Sequence, residues 1–193
     1  MASGYKNLYE FCQELTPYIR RNIIKNKVLE ICGQESVRVI KTSMDTSVMR
    51  GSFLGTESEN SYVQNSGVAH IVLARGLNHC WERFVFVKEL MHFFDEEEEK
   101  TTSAVFDLLL DSFSSPSSLE DPPSPIYLSE VNAVWMAVAC FCPETYRLKL
   151  KNDLQNGHID EYGIALKLKI PKQHVRLLMS HKFNAIIDHL IKS

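Results

Sequence analysis

WERFVFVKELMHFF, residues 81–94, has the length and the apolar content of a buried helix. Its central residues, 88–92, are K-E-L-M-H. In an H-E-x-x-H helix, two histidines four residues apart share one face and bind zinc, and the glutamate beside the first histidine acts as general base. This chain keeps the glutamate as Glu89 and the second histidine as His92, but Lys88 stands at the first position. A protonated ammonium group has three donors and no free lone pair, so Lys88 cannot ligate a metal ion.

Length and composition predict one ordinary globular domain. The chain has 193 residues, 45% of them hydrophobic, which is enough to bury a core. Its formal net charge of −3 gives no general attraction to nucleic acid or to anionic membranes. Five cysteines at irregular spacing argue against a disulfide framework and favour buried thiols in a reducing compartment.

No part of the sequence is typical of export or of membrane insertion. The N-terminus shows no charged segment followed by an apolar one, so we expect no signal peptide. No apolar run approaches the roughly 20 residues that a membrane-spanning helix needs. We therefore expect a cytoplasmic protein without a membrane partner.

The segments before the central helix show two different periodicities. Residues 5–32 have a helical pattern, with Pro17 in the first turn of a second helix and Thr16 as its N-cap. Alternating and β-branched residues between 37 and 75 predict two or three strands, with a polar hairpin or loop over 55–67.

A second apolar helix is predicted after a segment rich in serine and proline. That segment, residues 112–125, predicts a loop. Ser129 then caps a helix over 130–141, which places Glu130 in the first turn, and Pro143 marks the end. The apolar residues of this helix recur at helical spacing, so they form one stripe.

The tail, residues 144–193, carries nine Lys and Arg residues against five acids. Its pattern predicts a helix near 145–154, a helix pair over 159–168 and 171–179, and a final amphipathic helix from Phe183. The spacing of the pair is similar to a helix-turn-helix, whose recognition helix should present basic and amide side chains on its outer face. Four residues of the pair meet this description weakly: Lys172, Gln173, His174 and Arg176.

Taken together, these motifs resemble the ImmA/IrrE family of zinc metallopeptidases. In that family an Arg-Phe pair precedes H-E-x-x-H by a few residues, as the pair at 83–84 precedes the K-E-x-x-H motif here. The E-x-x-A-x-x-M-A helix that begins at Glu130 and ends before Pro143 is similar to the family's later helix, which supplies the third zinc ligand. The resemblance extends over roughly residues 15–180.

The resemblance implies an α+β fold. It would be a minimal zincin-like domain, in which a small twisted three-stranded sheet packs against helices. The whole chain, 1–193, would form one domain, with N-terminal helices over 1–35, a zincin-like core over 36–143 and C-terminal helices over 144–193. Members of the family are bacterial and phage regulators, and several of them cleave helix-turn-helix repressors.

By position, the resemblance makes Glu89 the general base and makes His92 and Glu130 zinc ligands. The chain departs from the family pattern at Lys88, and also at Met91, where the family has glycine. Our first hypothesis is therefore a catalytically inactive relative without a cofactor, which acts by binding a protein partner such as a helix-turn-helix repressor. The Lys88 ammonium would take the place of the metal and pair with the two carboxylates.

Two further hypotheses stay open. In one, the chain is an active metal-dependent peptidase that holds zinc through His92 and Glu130 and cleaves a repressor. In the other, residues 159–181 bind DNA; the positive tail favours this, but the acidity of the whole chain makes nucleic acid an unexpected partner. Arg83, Gln173 and Arg176 are the candidate binding residues.

Overall fold

The computed structural model describes residues 2–96 and 124–192, and the fold is α+β. Residues 112–123 of the predicted serine- and proline-rich loop lie outside this description. A short 3₁₀ turn, His92–Phe94, follows the fourth helix. The helices and strands of the described residues are α1 (Ala2–Gln13), α2 (Arg21–Ile31), β1 (Arg38–Thr42), β2 (Gly51–Leu54), α3 (Ser61–Ser66), β3 (His70–Ala74), α4 (His79–Met91), α5 (Pro125–Cys140), α6 (Glu144–Gln155), α7 (Glu161–Leu168), α8 (Lys172–Leu178) and α9 (Phe183–Leu190).

Three short strands form one mixed sheet in the order β1-β3-β2. Strand β1 runs parallel to β3, with Arg38 opposite His70, and β2 runs antiparallel to β3, with Gly51 opposite Leu73. Strand β3 is almost wholly buried because it is central and largely apolar. These strands confirm the predicted two or three strands between 37 and 75. Strand β2 has a single strand neighbour among the described residues, so it is an edge strand.

Helix α4 lies at the centre of the fold, as its sequence predicts. The Asn78 side chain caps it by accepting a hydrogen bond from the Trp81 amide, and every residue from Arg83 to Met91 except Lys88 is buried. The helix packs against β2 and β3 and also against α2 and α5. It is buried on most sides, which explains why it is apolar nearly all round.

The start of helix α2 differs from the prediction. The helix begins at Arg21, later than predicted, and Arg20 is the N-cap in place of Thr16. The reason is tertiary: the carbonyl of Ile19 accepts a hydrogen bond from the buried Arg83 guanidinium instead of from a helical amide. Periodicity within one segment does not report a contact with a residue so far along the chain.

The polar segment 55–67 contains a short helix, α3, where we predicted only a hairpin or loop. The Asn60 side chain caps α3, and Gly67 ends it in the left-handed region with φ of 67°. Only Val63 of this helix is buried. A single buried residue gives no apolar period, so the hydrophobic pattern does not reveal the helix.

Helix α5 begins at Pro125, earlier than the predicted start at Glu130 with Ser129 as the cap. The Ser124 side chain is the cap, and a serine followed by proline at the first helical position is a strong start signal. Ser129 lies inside the helix, and its buried hydroxyl donates to Asp95. Glu130 therefore lies in the second turn, not at the head of the helix.

The four C-terminal helices, α6 to α9, confirm the elements predicted for the tail within a few residues. Helices α7 and α8 pack against each other, and Lys169 ends α7 in the left-handed region with φ of 53°. Over residues 2–96 and 124–192, no single helix is both long and apolar enough to cross a bilayer; α5 and α6 meet that test only as a pair bent by 86°.

Arg83 joins three separate parts of the chain. Its guanidinium donates to the carbonyls of Leu168 at 2.7 Å and Lys169 at 3.0 Å, and also to the carbonyl of Ile19. It lies 3.9 Å from the centroid of the Phe141 ring, and only 1% of the residue is exposed. Burial lowers its pKa to about 10, so the side chain is still charged at neutral pH.

We predict that Arg83→Lys destabilises the protein by about 2–4 kcal/mol, because an ammonium lacks the planar fork with which the guanidinium reaches three carbonyls on two segments while it lies over Phe141. Urea unfolding followed by circular dichroism measures this free energy. Arg21→Lys is the matched control: Arg21 also carries an aromatic contact and its side chain is 37% exposed, so we expect a change within about 0.5 kcal/mol. Equal effects of the two substitutions would contradict the prediction.

Candidate functional site

A cleft of about 360 Å³, here called the central cleft, lies between β2 with the residues before it, α4, α5 and the start of α8. Lys88, Glu89, His92 and Glu130 all line it. The structure thus brings together the four residues to which the sequence assigned catalytic or metal-binding positions.

Lys88 extends its ammonium group between two carboxylates. Its Nζ lies 2.5 Å from Oε2 of Glu130 and 3.0 Å from Oε1 of Glu89. The Lys88 side chain is 14% exposed and that of Glu89 only 2%. Burial alone would lower the pKa of Lys88, but the two carboxylates outweigh it and raise the pKa above its usual value, so the ammonium stays charged.

The pKa of Glu130 is lowered. Partial burial would raise it, but the Lys88 ammonium and then the His92 ring outweigh that effect. Glu130 is 41% exposed at its side chain, so part of its charge still faces water. Its carboxylate belongs to α5 and the ammonium to α4, and this ion pair therefore links the two helices across the cleft.

His92 is held by two residues that sequence reasoning missed. Its Nδ1 lies 2.7 Å from Oδ2 of Asp95 and 3.2 Å from Oγ of Ser129, and the Ser129 hydroxyl donates to the same carboxylate at 2.8 Å. A histidine with a metal-binding role commonly donates its second ring nitrogen to a carboxylate, so Asp95, three residues further on, could have been found. Asp95 was missed because it is the first of several consecutive acidic residues, which are typical of a solvent-exposed loop.

The other ring nitrogen of His92 is buried beside the two glutamates. Nε2 lies 3.5 Å from Oε1 of Glu130 and 3.7 Å from Oε2 of Glu89, and it makes no hydrogen bond. Burial and the nearby Lys88 lower the pKa of His92, but the Asp95 hydrogen bond and the two glutamates outweigh them and raise it. Protonated His92 would thus have a carboxylate acceptor near each ring nitrogen: Asp95 near Nδ1 and the two glutamates near Nε2.

A glycine allows β2 to approach this group. A Cβ on Gly51 would clash with Val85 and would lie 3.1 Å from Oε1 of Glu89. The absence of a side chain therefore places the edge strand directly against the acidic part of α4.

The residues present do not fit a catalytic zinc ion. Such a site keeps three protein ligands and an open position for water. Here His92 and Glu130 could ligate, but the third position carries a fixed ammonium that already pairs with Glu130 and Glu89. Within the part of the chain that the structure describes, no group of three or more His, Cys, Asp or Glu residues is arranged to hold a metal ion.

The far end of the central cleft has a different chemistry. The Arg50 guanidinium lies over the Trp81 ring, 4.3 Å from its centroid. The His174 ring stacks on Phe84 with 3.9 Å between centroids and meets the Trp81 ring edge-on at 5.6 Å. Sequence reasoning did not single out Arg50 or Trp81, because a lone arginine and a lone tryptophan far apart in sequence form no motif.

The remaining candidate binding residues lie in different places. Gln173 lines the central cleft, whereas Arg176 is exposed and pairs with Glu161 at 3.3 Å. Arg83 is buried in the structural contacts described above. His174, expected on the outer face of a recognition helix, is instead buried, because the stripe it shares with Val175 and Leu178 packs inward.

Comparison of the chain with protein-family models, with curated proteins and with solved structures gave no match. The similarity to the ImmA/IrrE family therefore rests on the sequence motifs.

We predict that His174 contributes to acid destabilisation. Burial and then the charge of Arg50 lower its pKa to about 4, so the folded state holds the ring neutral while the unfolded chain protonates it near pH 6.5. Stability should fall by about 3 kcal/mol as pH drops from 6.5 to 4, and His174→Phe should remove that part of the pH dependence. Urea unfolding at several pH values measures it.

The control for this prediction is His158→Phe, since His158 is exposed. That variant should keep the pH dependence of the wild type. A His174→Phe protein that loses as much stability on acidification as the wild type would show that His174 is not the group concerned.

Proposed function

We propose that the protein is a degenerate relative of the ImmA/IrrE metallopeptidases, with a zincin-like core, that does not catalyse peptide cleavage and acts by binding a protein. One observation carries the proposal: the Lys88 ammonium lies between Glu89 and Glu130, where the family resemblance implies a metal. The ammonium supplies a positive charge to the two carboxylates but offers no coordination site for water or for a carbonyl oxygen.

The charges around Lys88 favour a cleft that is used for binding over one that is only the remnant of a lost metal site. Removing the first histidine alone would have left Glu89, almost fully buried, without a cation. Lys88 compensates that charge and pairs with Glu130 at the same time. Because a buried carboxylate without a partner is strongly destabilising, the lysine keeps the floor of the cleft stable in the absence of metal.

The rest of the central cleft suits an extended protein segment. Edge strand β2 lines it, and an edge strand can add a further strand through its free backbone groups. Phe53, Trp81 and Val134 give it apolar walls. Two exposed hydrophobic residues, Val48 at 62% and Tyr127 at 45%, also line it. The resemblance implies a helix-turn-helix repressor as partner, in cytoplasmic regulation of bacterial or phage genes.

An active metal-dependent peptidase is the second candidate. The observation that favours it is the free Nε2 of buried His92, with Glu89 and Glu130 both within 3.7 Å. Cleavage of a repressor by the wild type that a chelator stops and that Glu89→Gln abolishes would establish it. Two observations count against the DNA-binding hypothesis: His174 is buried, and Arg176 pairs with Glu161.

We predict that purified wild-type protein carries less than about a tenth of a zinc ion per chain, and that Lys88→His carries about one. The new imidazole would share a helical face with His92 and lie close to Glu130, which would complete three ligands. Elemental analysis by mass spectrometry after dialysis measures the metal content.

Two further variants make this result specific. Lys88→His combined with Glu130→Gln should lose the zinc, and Lys151→His, the same change on α6, should not acquire it. Stoichiometric zinc in the wild type that disappears in Glu130→Gln would overturn the proposal, whereas zinc that survives this change would be bound elsewhere, for example at a cysteine.

We predict that Lys88→Met destabilises the protein by about 3–5 kcal/mol at pH 7, because Glu89 then stays buried without a cation. The difference from wild type should shrink as pH falls, since Lys88 lowers the pKa of Glu130 in the wild type and this contribution to stability is lost when Glu130 becomes protonated. The double variant Lys88→Met/Glu89→Gln should recover part of the loss. A double variant as unstable as the sum of the two single variants would refute the coupling.

A further inference from the structure

We infer that the Arg50 end of the central cleft is a binding site for a carboxylate group of the bound protein segment. The site consists of Arg50, Trp81, Gln173 and His174, here called the Arg50 site. This inference rests on the proposed protein-binding function and adds the chemistry of what is bound: an acidic side chain or a C-terminal carboxylate.

Arg50 is a cation without an acidic partner among the described residues. Its neighbours are the Trp81 ring beneath the guanidinium and the nearby His174. Stacking on an aromatic face fixes the plane of a guanidinium and leaves its N–H groups pointing outward at the edge. A planar edge of donors matches a carboxylate through two parallel hydrogen bonds. The cleft thus holds a positioned donor pair that nothing in residues 2–96 and 124–192 satisfies.

His174 provides an independent sign of a missing ligand. The residue is only 9% exposed and lines the cleft, yet its Nε2 makes no hydrogen bond. A buried polar atom without a partner is unfavourable, and a bound ligand is one explanation for a native site that keeps one beside a cleft. The exposed Gln173 amide, adjacent in sequence, adds a further donor on the same wall.

The charge balance favours a carboxylate over a phosphate. Arg50 is the single full positive charge of the Arg50 site, because burial and then the charge of Arg50 lower the pKa of His174 and keep its ring neutral. One cation balances one carboxylate, whereas a phosphate carries close to two negative charges at neutral pH. The apolar walls of Trp81 and Phe84 would make the uncompensated second charge unfavourable.

The other cation of the cleft cannot take this role. Lys88 already contacts Glu89 and Glu130 within 3.0 Å, and both carboxylates would repel an incoming acid. An acidic group that enters the central cleft is therefore directed away from Lys88 and toward Arg50.

Four short peptides test the inference on the full-length protein. They share the sequence acetyl-Ala-Val-X-Val-Ala and differ at X or at the C-terminus: Glu with an amide end, Gln with an amide end, phosphoserine with an amide end, and Gln with a free carboxylate end. The indole N–H resonance of Trp81 in a ¹H–¹⁵N spectrum reports binding, and that of Trp135, which lies outside the cleft lining, is the internal control.

We expect at least one carboxylate peptide, the Glu peptide or the free-acid peptide, to bind about tenfold or more tightly than the Gln amide peptide. Which of the two binds shows whether the site takes a side chain or a chain end. Arg50→Gln should remove the preference, and Arg50→Lys should weaken it. Arg38→Gln, the same change on the exposed strand β1, should leave it intact.

The inference fails if neither carboxylate peptide gives a saturable Trp81 shift, if the phosphoserine peptide binds most tightly, or if the preference survives Arg50→Gln. Equal binding of all four peptides would also overturn it while leaving the proposed protein-binding function in place. Zinc-dependent cleavage would instead remove the proposed function, and the preference among peptides could still be measured in protein treated with a chelator.

Discussion

The ion pair of Lys88 with Glu89 and Glu130 is the contact on which the rest of the cleft depends. It compensates a carboxylate that is 2% exposed, and it connects α4 to α5 across the opening. A metal ion could satisfy the same carboxylates only by displacing the ammonium, and a fixed covalent cation cannot diffuse away as a metal can. In the function proposed above, the cleft would keep its shape and its charge balance without a cofactor.

Contacts on both sides of the ring fix the orientation of His92. Asp95 and Ser129 hold one ring nitrogen, and Nε2 points at the two glutamates. Orientation of this kind is what a ligating histidine requires. In the present chain it gives the ring a raised pKa, because Asp95 and the glutamates outweigh burial and Lys88. The His92 ring is then part of the hydrogen-bonded network at the floor of the cleft.

Much of this arrangement could be predicted from sequence, and the exceptions share one cause. The apolar run of α4, its K-E-x-x-H spacing and the tail helices follow from local periodicity. The start of α2, the burial of Ser129 and the Arg50 site depend instead on contacts between distant segments: Arg83 with Ile19, Ser129 with Asp95, Arg50 with Trp81. A single sequence holds no direct record of such pairs, whereas the caps Ser124 and Asn60 were present as signals and were overlooked.

The two ends of the central cleft differ in whether their cation is already paired with an acidic side chain. Lys88 is neutralised by two carboxylates within 3.0 Å, whereas Arg50 lies on an aromatic ring and has no acid among the residues described. The electrostatic potential along β2 would therefore differ between the two ends of a bound segment. Negative charge is disfavoured beside Glu89 and favoured beside Arg50. Because backbone pairing along an edge strand is nearly indifferent to sequence, this asymmetry is what could fix the register and polarity of the bound segment. In the function we propose, the cleft would thus select its partner by the position of a negative charge.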